Sequence, residues 1–201
     1  MTGRALVAGG TGRIGTAVVR ALAARGYGVA IHCHGALPRA RALAAELEAA
    51  GVPALAVTAD FREEGAVRAA VHRVTDHFSG LDAFVSCVAR RRPLDLVEAT
   101  AADVRSHFEV DCVGPFVAAQ EAALTMAGQE TGGTIVLVAE AEAAAPAAWA
   151  ASQAALPALA RTLAAGFAAR HPRIRVECIT RTAESPDELA AVVVGLLAAG
   201  R

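Results

Sequence analysis

The chain has 201 residues, 55% of them hydrophobic and 19% charged, with a net charge of −1. That length suits one domain with a sizeable core, and that balance excludes a disordered chain. The near-neutral charge gives no electrostatic reason to expect nucleic acid or an anionic membrane surface as the main partner.

The first predicted strand, Arg4–Ala8, runs into Gly9-Gly10-Thr11-Gly12-Arg13-Ile14-Gly15 and then into a helix over 13–25. Gly10, Gly12 and Gly15 fit G-x-G-x-x-G, while Gly9, Gly12 and Gly15 fit the looser G-x-x-G-x-x-G. Such a turn needs one glycine to bend tightly and a second to let backbone approach a pyrophosphate. A third lets the helix pack on the strand, and the helix N-terminus offers free N–H groups to the anion. The pattern therefore predicts a dinucleotide site over Gly9, Gly10, Thr11, Gly12, Arg13, Ile14 and Gly15.

Further strands are predicted over Val29–Cys33, Ala54–Thr58, Ala83–Cys87, Thr134–Ala139 and Ile174–Cys178. Between them lie helical stretches near 37–50, 63–79, 100–127 and 147–169, with a last helix near 186–199. Ser185-Pro186-Asp187-Glu188 opens that helix with a capping serine, a first-turn proline and acids at the positive dipole end. Short, uniformly apolar strands alternating with helices predict an α/β fold, a parallel sheet covered on both faces. Right-handed crossovers make it doubly wound, with ligand at the carboxyl ends of the strands. The stretch from residue 143 to 169 is rich in alanine, which reads as a close-packing helix because alanine is the best helix former.

The second strand ends His32-Cys33-His34, where NAD enzymes place a carboxylate on the ribose 2′-hydroxyl. With no acid there, and with Arg39 and Arg41 following, NADP(H) is favoured over NAD(H), with His34 on the 2′-phosphate side. Cys33, Cys87, Cys112 and Cys178 are widely spaced with no C-x-x-C pair, so no metal site or disulfide framework is expected. They suit a reducing cytosol and a cytoplasmic protein. No secretory signal is expected, and the apolar stretch 189–200 is too short to span a bilayer.

These residues resemble the short-chain dehydrogenase/reductase family along nearly the whole chain. Ala59-Asp60 is similar to the family's aspartate that contacts adenine, followed by Phe61. Gly80-Leu81-Asp82-Ala83-Phe84-Val85 is similar to the approach to its fourth strand, with Ser86, Cys87 and Val88 along the cofactor. Val110-Asp111-Cys112-Val113-Gly114-Pro115-Phe116 resembles its Val-Asn-x-x-Gly-Pro-Phe segment, and Ile174-Arg175-Val176 its sixth strand. The resemblance implies one NAD(P)-binding Rossmann-like domain over 1–201, six strands in the order 3-2-1-4-5-6 and no seventh strand. Arg13 and the His32-Cys33-His34 ending resemble the pteridine reductase branch.

The resemblance also implies where chemistry would occur, and there the chain departs from the pattern. Members protonate the substrate with a tyrosine tuned by a lysine, aided by a serine and an asparagine. Here the asparagine place holds Asp111, the serine place Glu140, the tyrosine place Trp149 and the lysine place Gln153. All nineteen basic residues are arginine, and Tyr27, in the turn before the second strand, is the one tyrosine. An indole N–H is no acid at neutral pH. Ser86-Cys87-Val88-Ala89 replaces the family's Asn-Asn-Ala-Gly, the stretch from Glu140 to Trp149 is short, and the substrate lid after the sixth strand is reduced to a short loop. The pocket is expected to be open and wet, a poor place for hydride transfer.

Two functions follow. One is an NADP(H)-binding family member without standard dehydrogenase activity, acting through nucleotide binding, regulation or assembly. The other is a pteridine-reductase-like oxidoreductase in which Glu140 and Asp111, joined by Glu142, form a carboxylate pair with one raised pKa. Arg90-Arg91-Arg92 is a candidate for drawing a small anionic ligand. A homo-oligomer is expected through 147–170, where Leu156, Leu159, Leu163 and Phe167 form an apolar stripe.

Overall fold

The structure is a computed structural model and describes residues 2–92, 95–142, 145–182 and 185–199. Its elements run β1 (Gly3–Ala8), α1 (Arg13–Ala24), β2 (Tyr27–Cys33), α2 (Leu37–Ala49), β3 (Ala54–Thr58), α3 (Glu64–Phe78) and β4 (Ala83–Ser86). Then come α4 (Ala101–Phe108), a π-helical turn (Glu109–Val113), α5 (Gly114–Ala127), β5 (Gly133–Glu140), α6 (Ala147–Ala168), β6 (Ile174–Arg181) and α7 (Pro186–Ala198).

All six strands are parallel, in the order β3-β2-β1-β4-β5-β6. This is the predicted Rossmann-like sheet. Strands buried on both faces explain the uniformly apolar runs. Ala83 and Val85 of β4 enter one core with α1, α2 and α7, whereas Phe84 enters the other with α3, α5 and α6. The strand order reverses between β1 and β4, whose last residues Ala8 and Ser86 lie side by side. That reversal opens a crevice at the carboxyl ends of the strands, where a ligand of such a sheet belongs.

Two expectations change. The stretch read as one helix over 100–127 is broken by the π turn at 109–113, beside Gly114-Pro115, where proline lacks the N–H to continue the helical ladder. Tyr27 is the first residue of β2 and is buried, rather than part of the turn before it. The predicted cap of α7 is present in full. Ser185 Oγ accepts from the Glu188 amide at 3.2 Å, and the Ser185 amide donates to Glu188 Oε2 at 2.8 Å. The stripe on α6 turns inward: Leu156 is buried, and Leu159, Leu163 and Phe167 pack against the core beneath the helix.

Candidate functional site

The glycine turn is built as its sequence implies, with Gly9 as the bending residue. Gly9 has φ +72°, and a Cβ there would meet Cys87 O at 2.8 Å. A Cβ at Gly15 would lie 2.1 Å from Gly9 O, so α1 packs on the turn only because that position has no side chain. Gly12 caps α1 without a side-chain bond, and no acid sits in the first turn. The positive helix end is thus left for an anion.

His32 fixes this turn, a role the sequence pattern did not bring out. It is buried at the end of β2; its Nδ1 accepts the Gly9 N–H at 3.2 Å, and its Nε2 donates to Ala59 O at 3.1 Å. Those partners demand the neutral ring protonated on Nε2. Burial lowers the imidazole to about 4, partly offset by the bond to Ala59. One imidazole therefore ties the glycine turn to the loop after β3. The signal was a polar residue inside an otherwise apolar central strand.

A cavity of about 280 Å³ opens against this turn. Of the predicted cofactor residues, Gly9, Gly12, His34, Asp60, Phe61, Cys87 and Val88 line it. Gly10, Gly15, Ile14 and Ser86 support it from buried positions, while Arg13 is exposed at the start of α1. His32, Arg62, Arg90 and Val110 also line it, and none of these four was among the predicted contacts. Asp60 accepts from Arg62 at 2.5 Å and has His34 Nε2 at 3.4 Å. The Arg62 guanidinium holds its carboxyl down to about 2. No carboxylate ends β2: Cys33 is buried, and its thiol faces Val57 O. A larger cavity of about 660 Å³ lies at the other end of the sheet, among Thr2, Tyr27, Gly132 and Arg173. The strand beginnings are not where a doubly wound sheet binds its ligand, so the smaller cavity is the candidate.

The neighbouring half, at the ends of β4, β5 and β6, is packed differently. Trp149, Ser152, Gln153 and Asp111 are all buried, Trp149 with no exposed surface. Gln153 Oε1 accepts from the Glu140 amide at 2.9 Å. Asp111 Oδ1 accepts from the Arg90 amide at 2.6 Å, and Ser152 Oγ lies 2.6 Å from Asp111 Oδ2. Burial pushes the Asp111 carboxyl above the usual range, against the lowering effect of these bonds.

The expected carboxylate pair is not assembled. Glu140 is joined to Arg181 at 3.0 Å, as their facing positions on β5 and β6 dictate, and Glu142 is joined to Arg91. Each glutamate is thus held by an arginine of its own. Two arginines of the basic run are engaged, Arg91 over the Trp149 ring, 5.2 Å from its centroid, and Arg92 with Asp103 at 3.0 Å, while Arg90 lines the cavity. Trp149 and Gln153, expected in the acid and lysine places, are both buried. Residues 143–144 and 183–184, on the shortened stretch and the short lid loop, lie outside the described residues. Among the described residues no cluster of His, Cys, Asp or Glu is suited to a metal, and no helix is long and apolar enough to cross a membrane.

Comparison with known proteins follows this geometry. The 3-oxoacyl-(acyl-carrier-protein) reductase of Staphylococcus aureus is 30% identical over 137 residues, 68% of this chain and 56% of that protein. Carbonyl reductase family member 4 of Xenopus tropicalis is 33% identical over 136 residues, 68% of this chain and 55% of its own length. The chain thus spans about half the length of the curated relatives it matches. Among solved structures, a short chain dehydrogenase from Burkholderia cenocepacia in complex with NADP superposes with a TM-score of 0.88 at 31% identity, covering 98% of this chain and 91% of that one. A short-chain dehydrogenase/reductase mutant from Serratia marcescens gives 0.87 at 26% identity, covering 98% and 92%. Residues 4–186 match the family model for short chain dehydrogenase; the chain belongs to that family.

Proposed function

We propose that this protein binds NADP(H) across the glycine turn and does not carry out the standard tyrosine-acid reduction of its family. The residues fit the cofactor's adenosine and pyrophosphate. Gly9 and Gly12 offer backbone, the α1 N-terminus is uncapped, and Asp60 stands at the adenine end. With Cys33 where a carboxylate would repel a 2′-phosphate, and with His34 beside it, the phosphorylated cofactor is preferred. The NADP-bound relative supports the same choice. When bound, NADPH supplies a hydride. What this chain lacks is the proton donor to go with it.

The observation that carries the reading is Trp149, completely buried where the resemblance places the tyrosine, with its indole nitrogen unpartnered among the described residues. A substrate oxygen has no acidic hydroxyl within reach there, and general acid catalysis requires a donor at hydrogen-bond distance. The four cysteines are free thiols, which accords with a reducing cytoplasmic setting. Its role is then one of nucleotide binding, regulation or assembly, the last through pairing of two copies on the outer face of α6.

Trp149 is the sole tryptophan, which provides the test. Titrating NADPH should quench indole emission by energy transfer to the reduced nicotinamide, saturably and more tightly than NADH. Absence of saturable binding of either nucleotide overturns the reading. So does NADPH oxidation at ordinary enzyme rates, on the order of 1 per second, with carbonyl or pterin substrates. In that case Glu140→Gln and Asp111→Asn identify the acid.

A further inference from the structure

The buried cluster around the π turn contains a proton count that closes in only one way. Ser152 Oγ lies 2.6 Å from Asp111 Oδ2 and 2.8 Å from the Trp149 carbonyl oxygen. A hydroxyl has one proton, and a carbonyl oxygen only accepts. If Ser152 donates to Asp111, the 2.8 Å contact with Trp149 sets lone pair against lone pair. If Ser152 donates to Trp149, the 2.6 Å contact needs a proton from the carboxyl. Both contacts are undivided hydrogen bonds only when the acid is protonated; with an ionised Asp111 one hydroxyl proton is shared between two acceptors. The other oxygen agrees, since Oδ1 accepts the Arg90 N–H at 2.6 Å. The position therefore requires one acceptor and one donor on a planar group, the pattern of a primary amide or a carboxylic acid.

We propose that Asp111 is carried as a neutral carboxylic acid in the folded protein, and that its proton orients Ser152 and, through it, the first turn of α6 that holds Trp149. Asp111 is thus a positioning residue. It supports the nucleotide cavity from behind, because the Arg90 whose amide it fixes and its neighbour Val110 both line that cavity. Ionisation would reverse the Ser152 hydroxyl and release the Trp149 carbonyl from it. The surroundings oppose ionisation chiefly by burial. On the π turn itself, the Cys112 thiol donates to Ser152 O at 3.1 Å and is pushed up to about 11, so it stays neutral. From α4, His107 faces the acid with its Nδ1 bonded to Asp103 O at 2.8 Å, and a positive charge on it would favour the ionised form. From the loop after β4 the bonded group is the Arg90 amide, and from α6 the neighbour is the side-chain amide of Gln153; both are uncharged, and both favour the ionised form against the larger effect of burial. On α5 the charged Glu121 is already held by Arg68 and His72.

Infrared spectroscopy of the protein labelled with ¹³C-aspartate reads this proton directly. Burial pushes the Asp111 carboxyl above its usual range, so the expected result is a protonated-aspartate carbonyl band at neutral pH. That band is absent in Asp111→Asn. The asparagine reproduces the same acceptor and donor, so this variant should unfold at a higher urea concentration than wild type in mildly alkaline buffer. The advantage should shrink as pH falls and vanish only below the unfolded carboxylate range, at about pH 4. Trp149 emission should shift on alkaline titration of wild type and stay constant in Asp111→Asn. No protonated band in wild type at neutral pH overturns the proposal, as does a band that persists in Asp111→Asn or a loss of stability in Asp111→Asn that is equal at all pH. Should Asp111→Asn fail to fold, the wild-type band alone decides.

Discussion

The carboxyl end of the sheet is two sites with opposite characters. Around β1, β2 and β3, backbone comes close to a cavity, a helix end is left uncapped, and the buried titratable group is a base held neutral, His32. Around β4, β5 and β6 the side chains close over one another, and the buried titratable group is an acid pushed upward, Asp111. The two halves therefore answer pH with opposite signs. A chain under demand for both nucleotide and chemistry would keep both halves open. This one keeps the nucleotide half and fills the other, which is why binding and turnover separate in its proposed function.

The sharpest way to break that contrast is turnover. With Trp149 and Gln153 in the acid and lysine places, steady-state assays with carbonyl and pterin substrates should show no NADPH oxidation above background. General acid catalysis alone contributes about 10²–10⁴ in rate, and desolvated positioning contributes more. The next largest effect belongs to the retained half. Gly15→Val puts a branched side chain against Gly9 O, where even a Cβ would lie at 2.1 Å. It should abolish saturable NADPH binding and lower stability by about 2–3 kcal/mol, read by fluorescence titration and urea unfolding. Gly35→Ala, in open space, is the control that should change neither. Retained affinity in Gly15→Val would move the nucleotide away from the glycine turn.

The retained half was the legible one. Apolar runs and glycines declare six strands and a tight turn locally, and the resemblance to the family implies their order. The rebuilt half was legible only in its identities. That Asp111, Glu140, Trp149 and Gln153 stand in unusual places is visible in the sequence. That Glu140 is held by Arg181 depends on the register of β5 on β6, and Glu142 meets Arg91 across two loops. No local pattern encodes such pairings. The π turn did leave a signal, Gly114-Pro115 inside a predicted helix, which ordinarily marks a break. His32 left one as well, a polar ring in a buried strand. The first is a break in a helix, the second a single side chain whose partners Gly9 and Ala59 are distant in sequence.

His32 sharpens the pH contrast. Its ring is held at about 4 in the folded protein against roughly 6.5 when unfolded. As pH falls below 6.5 the unfolded chain takes up the proton first, so stability declines between about 6.5 and 4 and levels off below. The full loss is about 3 kcal/mol. Urea midpoints across that window should fall in wild type and flatten in His32→Asn, while NADPH affinity weakens as the Gly9 tether is lost. Asp111 works the other way, its cost appearing as pH rises above the unfolded carboxylate range and through its own raised value. A wild-type curve that is flat between 6.5 and 4 would remove His32 from this account.

The smallest effect concerns the outer face of the filled half. Because Leu156, Leu159, Leu163 and Phe167 turn toward the sheet, what α6 presents outward is mostly small: Ala151, Ala154, Ala158, Ala165 and Gly166 are exposed, with Arg161 and Thr162 among them. Nearby in the chain the π turn exposes Val113 and α5 exposes Leu124, each more than half open. Small residues let two helices approach closely, and an isologous contact places each such face against its own copy. A dimer formed this way rests on close packing rather than on a greasy stripe, so long charged side chains should be enough to prevent it. Ala158→Arg with Ala165→Arg should convert a dimer at tens of micromolar to a monomer by light scattering. Both positions are exposed, so monomer stability should stay within about 0.5 kcal/mol. A wild-type monomer at that concentration, or a dimer indifferent to both arginines, would leave the exposed alanines as plain helix formers and put assembly elsewhere.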